Sequence, residues 1–277
     1  NITIDVATSK TLTYSGTAIS LGANTMTLSG GGTLGNTNAI LLNNANSKLL
    51  LNSITLDSAS TSADSLGLDV DADSTVTSLS VGHITPVSIA SGKNLSGAIT
   101  VSAGSLKLNE TGTLASTISM SGGTLDADES LAVSGALTQS GGIAIDVATG
   151  KTLTYSGTAI SLGANTLTLS GGGSLVSGGL TLNNASSKLL LNSIILDSAS
   201  TSANSLGLDV DNNSTITALS VGHITPVSIA SGKTLSGAIT VTAGSIKLGE
   251  AGTLASTIAM GGGTLDADES LAVSGAL

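Results

Sequence analysis

Two histidines and a set of carboxylates are the residues of this chain best equipped for chemistry, and each recurs in a repeated setting. His83 and His223 both stand in Val-Gly-His-Ile-Thr-Pro, with Pro86 and Pro226 three residues on. An imidazole titrates near neutrality and serves as a base, an acid or a metal ligand. No nucleophile or acid pair lies beside either one in sequence, so the pattern predicts a turn histidine and no catalytic residue. The carboxylates form two clusters per repeat. Asp69, Asp71 and Asp73 are followed in the second repeat by Asp209 and Asp211, with Asn213 where Asp73 would stand. Oxygen donors at this spacing suit calcium, so these five residues are the candidate metal ligands and calcium the one cofactor in question. The stretch lacks the glycine and the closing glutamate of a calcium loop. Alternating Asp in Leu68-Asp69-Val70-Asp71 also describes the solvated face of a strand. Asp126, Asp128 and Glu129 read as a solvated corner. Gly30-Gly31-Gly32 and Gly171-Gly172-Gly173 are followed by neither Lys-Ser/Thr nor a helix, and so predict turns, not phosphate cradles.

Composition narrows the classes further. Charged residues are 9% of the 277, against roughly 25% in an average soluble domain, while hydrophobic residues reach 40% and mean hydropathy is +0.43. That balance excludes a charge-swollen disordered chain. Tyr14 and Tyr155 are the only aromatics, so no core built on large rings is expected. A net charge of −10 repels phosphate backbones and anionic lipid, which argues against nucleic acid as a partner. The absence of cysteine removes disulfides and thiolate sites together. No run of about 18 apolar residues occurs, so no membrane contact is expected within this segment. Asn1 opens directly into repeat-like sequence, so any export signal or anchor is expected outside it.

The elements that position these residues come from an internal duplication. Residues from Ile4 to Leu137 recur from Ile145 to Leu277, at an offset of 141 as far as Gly32/Gly173 and of 140 from Asn43/Asn183 onward. The units are taken as 1–141 and 142–277, continuous as one rod within a longer array. Within each unit, triplets such as Ile4-Asp5-Val6, Val87-Ser88-Ile89, Ile99-Thr100-Val101 and Leu106-Lys107-Leu108 read apolar, polar, apolar. Alternation of period two puts the outer residues on one face of a strand and the middle residue on the other. Thr13, Ser20 and Thr27 are spaced by seven, so a strand and a turn use about seven residues, and three such sides make a coil of about twenty. The predicted fold is all-β: a parallel, three-sided β-solenoid of about seven coils per unit, right-handed by the usual chirality of parallel crossovers. Fourteen coils at about 4.8 Å would give a rod roughly 65 Å long. Glycine abundance and scarce charge oppose a coiled coil, and triplet strands are short for an antiparallel sandwich. Paired threonines (Thr11 and Thr13, Thr25 and Thr27, Thr75 and Thr77, Thr152 and Thr154) raise an ice-binding reading. Thr11 and Thr25 stand two sides of a coil apart, short of a full circuit, which places those pairs on different faces.

Gly150-Lys151-Thr152-Leu153-Thr154-Tyr155-Ser156-Gly157 and Ser231-Gly232-Lys233-Thr234-Leu235-Ser236-Gly237 resemble the Gly-Lys-Thr-Leu turn-and-strand units of bacterial surface β-solenoids, the autotransporter passengers and large repetitive adhesins. The resemblance implies an extracellular or cell-surface location and a role in adhesion, aggregation or fibre formation, including biofilm. The expected function is a structural stalk or fibre without catalysis. The chain has no Arg, the basic partner that β-helical polysaccharide lyases and hydrolases use at a cleft. The expected partners are neighbouring copies or repeats, met by coaxial stacking or lateral contact. The alternative is a glycan- or cell-binding adhesin module, and behind it the ice-binding solenoid.

Overall fold

The computed structural model describes all 277 residues and contains no helix, only 34 β-strands of two to eight residues. It divides into two compact units, Asn1–Ser140 and Gly141–Leu277. In the first unit one side is built from Ile2–Asp5, Thr25–Ser29, Lys48–Asn52, Gly67–Ala72, Ile84–Ile89, Ser105–Leu108 and Thr124–Ala127, each parallel to the next. Ile2, Met26, Leu49, Leu68, Val87, Leu108 and Ala127 stack in one column. The step along the chain from each to the next is uneven, longest in the first two coils. In the second unit the column is Ile143, Leu167, Leu189, Leu208, Val227, Leu248 and Ala267, again with its two longest coils first. Seven turns per unit, about fourteen in the chain and about 20 residues each, make this a parallel β-solenoid.

Each coil has two further sides. In the first two coils they are separate strands: Thr11–Tyr14 and Ile19–Ser20, then Thr33–Asn36 and Ile40–Leu42. In the third coil they fuse into Thr55–Thr61, whose Leu56 stacks on Leu34 and whose Ala59 stacks on Ile40. Ser74–Val81 and Asn94–Val101 bend in the same way. The bend in Asn94–Val101 falls at Gly97, which has φ +118°, and the register with Ser74–Val81 slips there, between Val76 and Leu79.

Inward positions are mostly aliphatic, because the alternation turns every second residue of a strand toward the interior. Leu28, Leu51, Val70 and Ile89 form one buried column, and Ile40, Ala59, Leu79, Ile99, Ile118 and Leu137 form another. Burial of apolar surface at about 25 cal/mol per Å² is what holds such a narrow interior together. Differences between the repeats respect it: Met26/Leu167, Val76/Ile216 and Leu106/Ile246 are all buried, whereas Ser119/Ala259 is exposed. Leucines that follow turns do not all fall in the stacked columns. Leu114 stacks on Val133 and not Leu131, and Leu189 stacks on Leu208 while Leu206 is exposed.

The one-residue difference between the repeats is absorbed at a single corner. Leu34 and Ile40 are separated by five residues, their counterparts Leu175 and Leu180 by four. In the first unit the buried Asn36 ties this corner to the coil above: its Nδ2 donates to the Ser58 carbonyl at 2.8 Å and its Oδ1 accepts the Ser58 N–H at 3.2 Å. In the second unit Asp197 reaches down instead, accepting the Ser177 hydroxyl at 2.9 Å and the Gly178 N–H at 3.0 Å. The tie is kept while the groups that make it change, because a buried corner must satisfy its polar atoms one way or another. No helix is long and apolar enough to cross a membrane.

Candidate functional site

His83 sits in the short link between Ser74–Val81 and Ile84–Ile89, as a turn histidine. Its Nδ1 lies 3.8 Å from Asp64 Oδ1, beyond hydrogen-bond reach. The Asp64 oxygen instead accepts the Ile84 N–H at 3.0 Å. In the second unit Asn204 replaces the acid and its Oδ1 accepts the Ile224 N–H at 3.1 Å. An Asp-to-Asn exchange keeps the acceptor and discards the charge. What the two repeats share is therefore a cap on the turn, not a carboxylate–imidazole pair. Beneath the turn, the buried Thr85 hydroxyl lies 3.0 Å from the Thr61 hydroxyl and 3.1 Å from the His83 carbonyl, and Thr225 repeats the arrangement with Thr201 at 3.1 Å. These hydroxyls interrupt an aliphatic column and find partners within it, the Thr85 hydroxyl sharing the His83 carbonyl with the Ser105 N–H of the next coil.

The proposed calcium ligands are spread along their strand and its corner. Asp69 points outward from Gly67–Ala72, and its Oδ2 is 2.7 Å from Lys48 Nζ of the preceding coil. Asp209 pairs with Lys188 at 2.9 Å. Asp73 lies past the strand end, where its Oδ1 accepts the backbone N–H of Asn94 at 2.9 Å and its side-chain amide at 3.2 Å; Asn213 does the same for the Thr234 N–H at 2.9 Å. Asp71 and Asp211 are exposed. No three histidine or acid side chains converge at metal-binding distance. The other acid cluster is organised by Lys107, whose Nζ is 3.1 Å from both Asp126 Oδ2 and Asp128 Oδ2. Hydrogen bonds to Asp128 and then to Asp126 hold the Lys107 ammonium above the ordinary lysine range, against a smaller opposing effect of burial.

Sequence reasoning missed the lysines as partners, although a signal existed. Lys48 and Asp69, like Lys107 and Asp126, stand about one coil apart along the chain. Hydroxyl pairs follow the same rule: Thr75 with Ser96 at 2.7 Å, Thr215 with Ser236 at 2.8 Å and Ser119 with Thr138 at 2.9 Å. Two shallow grooves occupy equivalent corners. That in the first unit, about 290 Å³, is lined by Ser53, Thr55, Asp73, Thr75, Asn94 and Ser96 among others. Its counterpart of about 450 Å³ has Ser193, Ile195, Asn213, Thr215, Thr234 and Ser236. Thr11 and Thr13 lie on Thr11–Tyr14, whereas Thr25 and Thr27 lie on Thr25–Ser29 in a different sheet. No protein-family model matches the chain, and no curated protein or solved structure matches it. The chemistry on offer is thus hydrogen bonding and ion pairing from coil to coil, with two repeated grooves rich in hydroxyls.

Proposed function

We propose that this chain is a structural repeat segment: a stiff stalk or fibre of a bacterial surface adhesin or filament, displayed outside the cell and acting without catalysis. The observation that carries the reading is the fate of the reactive side chains. Lys48–Asp69, Lys188–Asp209, Asp73–Asn94 and Asp64–Ile84 all join one coil to the next, which is what a stack under tension requires of its polar groups. Parallel ladders running through every coil of each unit supply the stiffness. Electron microscopy of the purified chain is expected to show thin rods, and compact round particles would overturn the reading. For the location, an antibody raised against the chain is expected to label intact source cells without permeabilisation; labelling confined to lysed cells would reject it.

The repeated groove favours a second reading, a glycan- or cell-binding module. Each copy presents the hydroxyls of Ser53/Ser193, Thr75/Thr215 and Ser96/Ser236 at the same corner, while Thr55, Asp73 and Asn94 give way to Ile195, Asn213 and Thr234, so a polyhydroxylated ligand would meet a shared set of hydroxyls twice. A glycan array with no retained sugar would remove it. Thr11 and Thr75 stack in one column through Thr33 and Thr55, but Thr13 meets Gly35, and Thr25 and Thr27 stack on Lys48 and Leu50, so the lack of threonine pairs recurring from coil to coil weighs against the ice-binding reading.

A further inference from the structure

The groove of each unit crosses four successive coils, from Gly31 to Ser96 in the first unit and from Gly172 to Ser236 in the second. At about 4.8 Å per coil it is about 15 Å long, room for a short oligomer and more than one sugar ring needs. It forms where the link between strands is short, at residues 53–54, beside a coil where it is long, at residues 90–93, and residues 193–194 and 230–233 repeat the contrast. The floor is common to both copies: the Thr75 and Ser96 hydroxyls pair at 2.7 Å, and those of Thr215 and Ser236 at 2.8 Å. The rim is not. Thr11, Thr33, Thr55, Thr75 and Ser96 form an unbroken column of hydroxyls in the first unit. In the second, Ile195 takes the middle place between Ser174 and Thr215 and is 48% exposed. Both residues are β-branched, so strand propensity does not account for the exchange. The corner changes with it. Asp73 Oδ1 accepts the Asn94 N–H and side-chain amide, which leaves Oδ2 as an uncommitted charged acceptor. Asn213 Oδ1 accepts the Thr234 N–H, which fixes the orientation of its amide and leaves Nδ2 as an uncommitted donor.

We propose that the two grooves sort oligomers of a 2-amino sugar by acetylation, the groove of the second unit taking the N-acetylated sugar and that of the first unit the free amine. An acetamido group carries a carbonyl that needs a donor and a methyl that needs apolar surface, and Asn213 Nδ2 and Ile195 offer these two in one groove. A free 2-amino group is an ammonium at mildly acidic pH, and the Asp73 carboxylate and the Thr55 hydroxyl accept from it. The crossed pairings fail on the same grounds. An ammonium over Ile195 gives up water without a compensating acceptor, and an acetamido carbonyl beside Asp73 sets one acceptor against another. The net charge of −10 favours a cationic ligand in general, whereas the acetylated one has to be held by local contacts alone. No aromatic residue lines either groove, so ring stacking does not blur the distinction. The proposal deepens the glycan-binding reading and rests on it for the shared floor, but the two fail separately.

The test is isothermal titration calorimetry of the 277-residue chain at mildly acidic pH, with a linear tetramer of N-acetylglucosamine and with its fully deacetylated form. Wild type is expected to bind each tetramer at one site, with added salt weakening the deacetylated one only. Ile195→Thr combined with Asn213→Asp is expected to weaken the acetylated tetramer by about tenfold and to create a second site for the deacetylated one. Thr55→Ile combined with Asp73→Asn should do the reverse. All four side chains lie outside the core, and far-UV circular dichroism checks the fold; should a double variant not fold, Asn213→Asp and Asp73→Asn alone give the same comparison. Variants that bind as wild type does, or acetylated binding lost on changing Thr55 and Asp73, would overturn the proposal. A glycan array that retains other sugars but neither tetramer would also overturn it while leaving the glycan-binding reading standing; an array that retains nothing removes both.

Discussion

Adding one methyl group at Gly97 and another at Gly92 should separate the cost of a backbone conformation from the cost of a blocked ladder. Both glycines have positive φ, +118° and +72° respectively. At Gly92, in the turn closed by the Lys93 N–H on the Ala90 carbonyl at 2.9 Å, an added Cβ meets nothing. Gly92→Ala then carries only the left-handed penalty of about 1–2 kcal/mol. At Gly97 the methyl would overlap the carbonyl oxygen and carbon of Val76 on the neighbouring strand, at the point where the register slips. Relief requires the two coils to part, which adds about 1–3 kcal/mol of overpacking to the same conformational cost of about 1–2 kcal/mol and brings the loss to about 2–5 kcal/mol. Gly237, φ +127° against the Ile216 carbonyl, is an internal duplicate and should respond alike. Urea unfolding followed by circular dichroism reads the difference as a shift in midpoint. Equal losses for Gly92→Ala and Gly97→Ala, or a Gly97→Ala protein as stable as wild type, would refute the idea that close coil-to-coil approach is what these corners require.

Three further outcomes follow from the same geometry. Leu56→Ala, which empties a fully buried position between Leu34 and Val76, should lower stability by about 2–5 kcal/mol in a urea melt, while Leu50→Ala on the outer face of its strand should cost far less. Because Lys107 is held above its ordinary value near 10.5, its contribution is complete below that pH and fades as pH rises through the raised folded value. Thermal melts of Lys107→Met should therefore lose less stability than wild type over that alkaline interval, with a difference of no more than about 1 kcal/mol for so exposed a pair. Since Asp69 is engaged by Lys48 and Asp73 by Asn94, chelator and added calcium should leave the melting temperature of the wild-type chain unchanged; a calcium-dependent rise abolished by Asp71→Asn would restore the ligand reading.

Much of this architecture was legible in the alternation of residue types. Val87-Ser88-Ile89 and Ile99-Thr100-Val101 each bury their outer residues, and the seven-residue interval through Thr13, Ser20 and Thr27 does mark three successive sides. Coil register was not legible, because the step changes from coil to coil, longest from Ile2 to Met26 and shorter from Leu49 to Leu68, and so defeats any fixed period. The exposed Leu206 shows how a leucine after a turn can lie two residues away from the stacked position at Leu208. Nor were the corners legible: nothing local to Gly97 announces that two strands will fuse there. The acids at 69, 71 and 73 were visible as a cluster, but their partners lie one coil away, and proximity in a solenoid is measured around the coil as much as along the chain.

The corner where the repeats differ by one residue has a practical meaning. The turn shortens from five residues to four, while the stacked columns beyond it, Leu49 to Ala127 and Leu189 to Ala267, advance by identical steps. Chain length at that place is decoupled from everything downstream. Foreign peptide spliced between Asn38 and Ala39 would hang from the side of an intact scaffold, and drift at such corners is how a lineage of these modules would acquire new surface without rebuilding its interior.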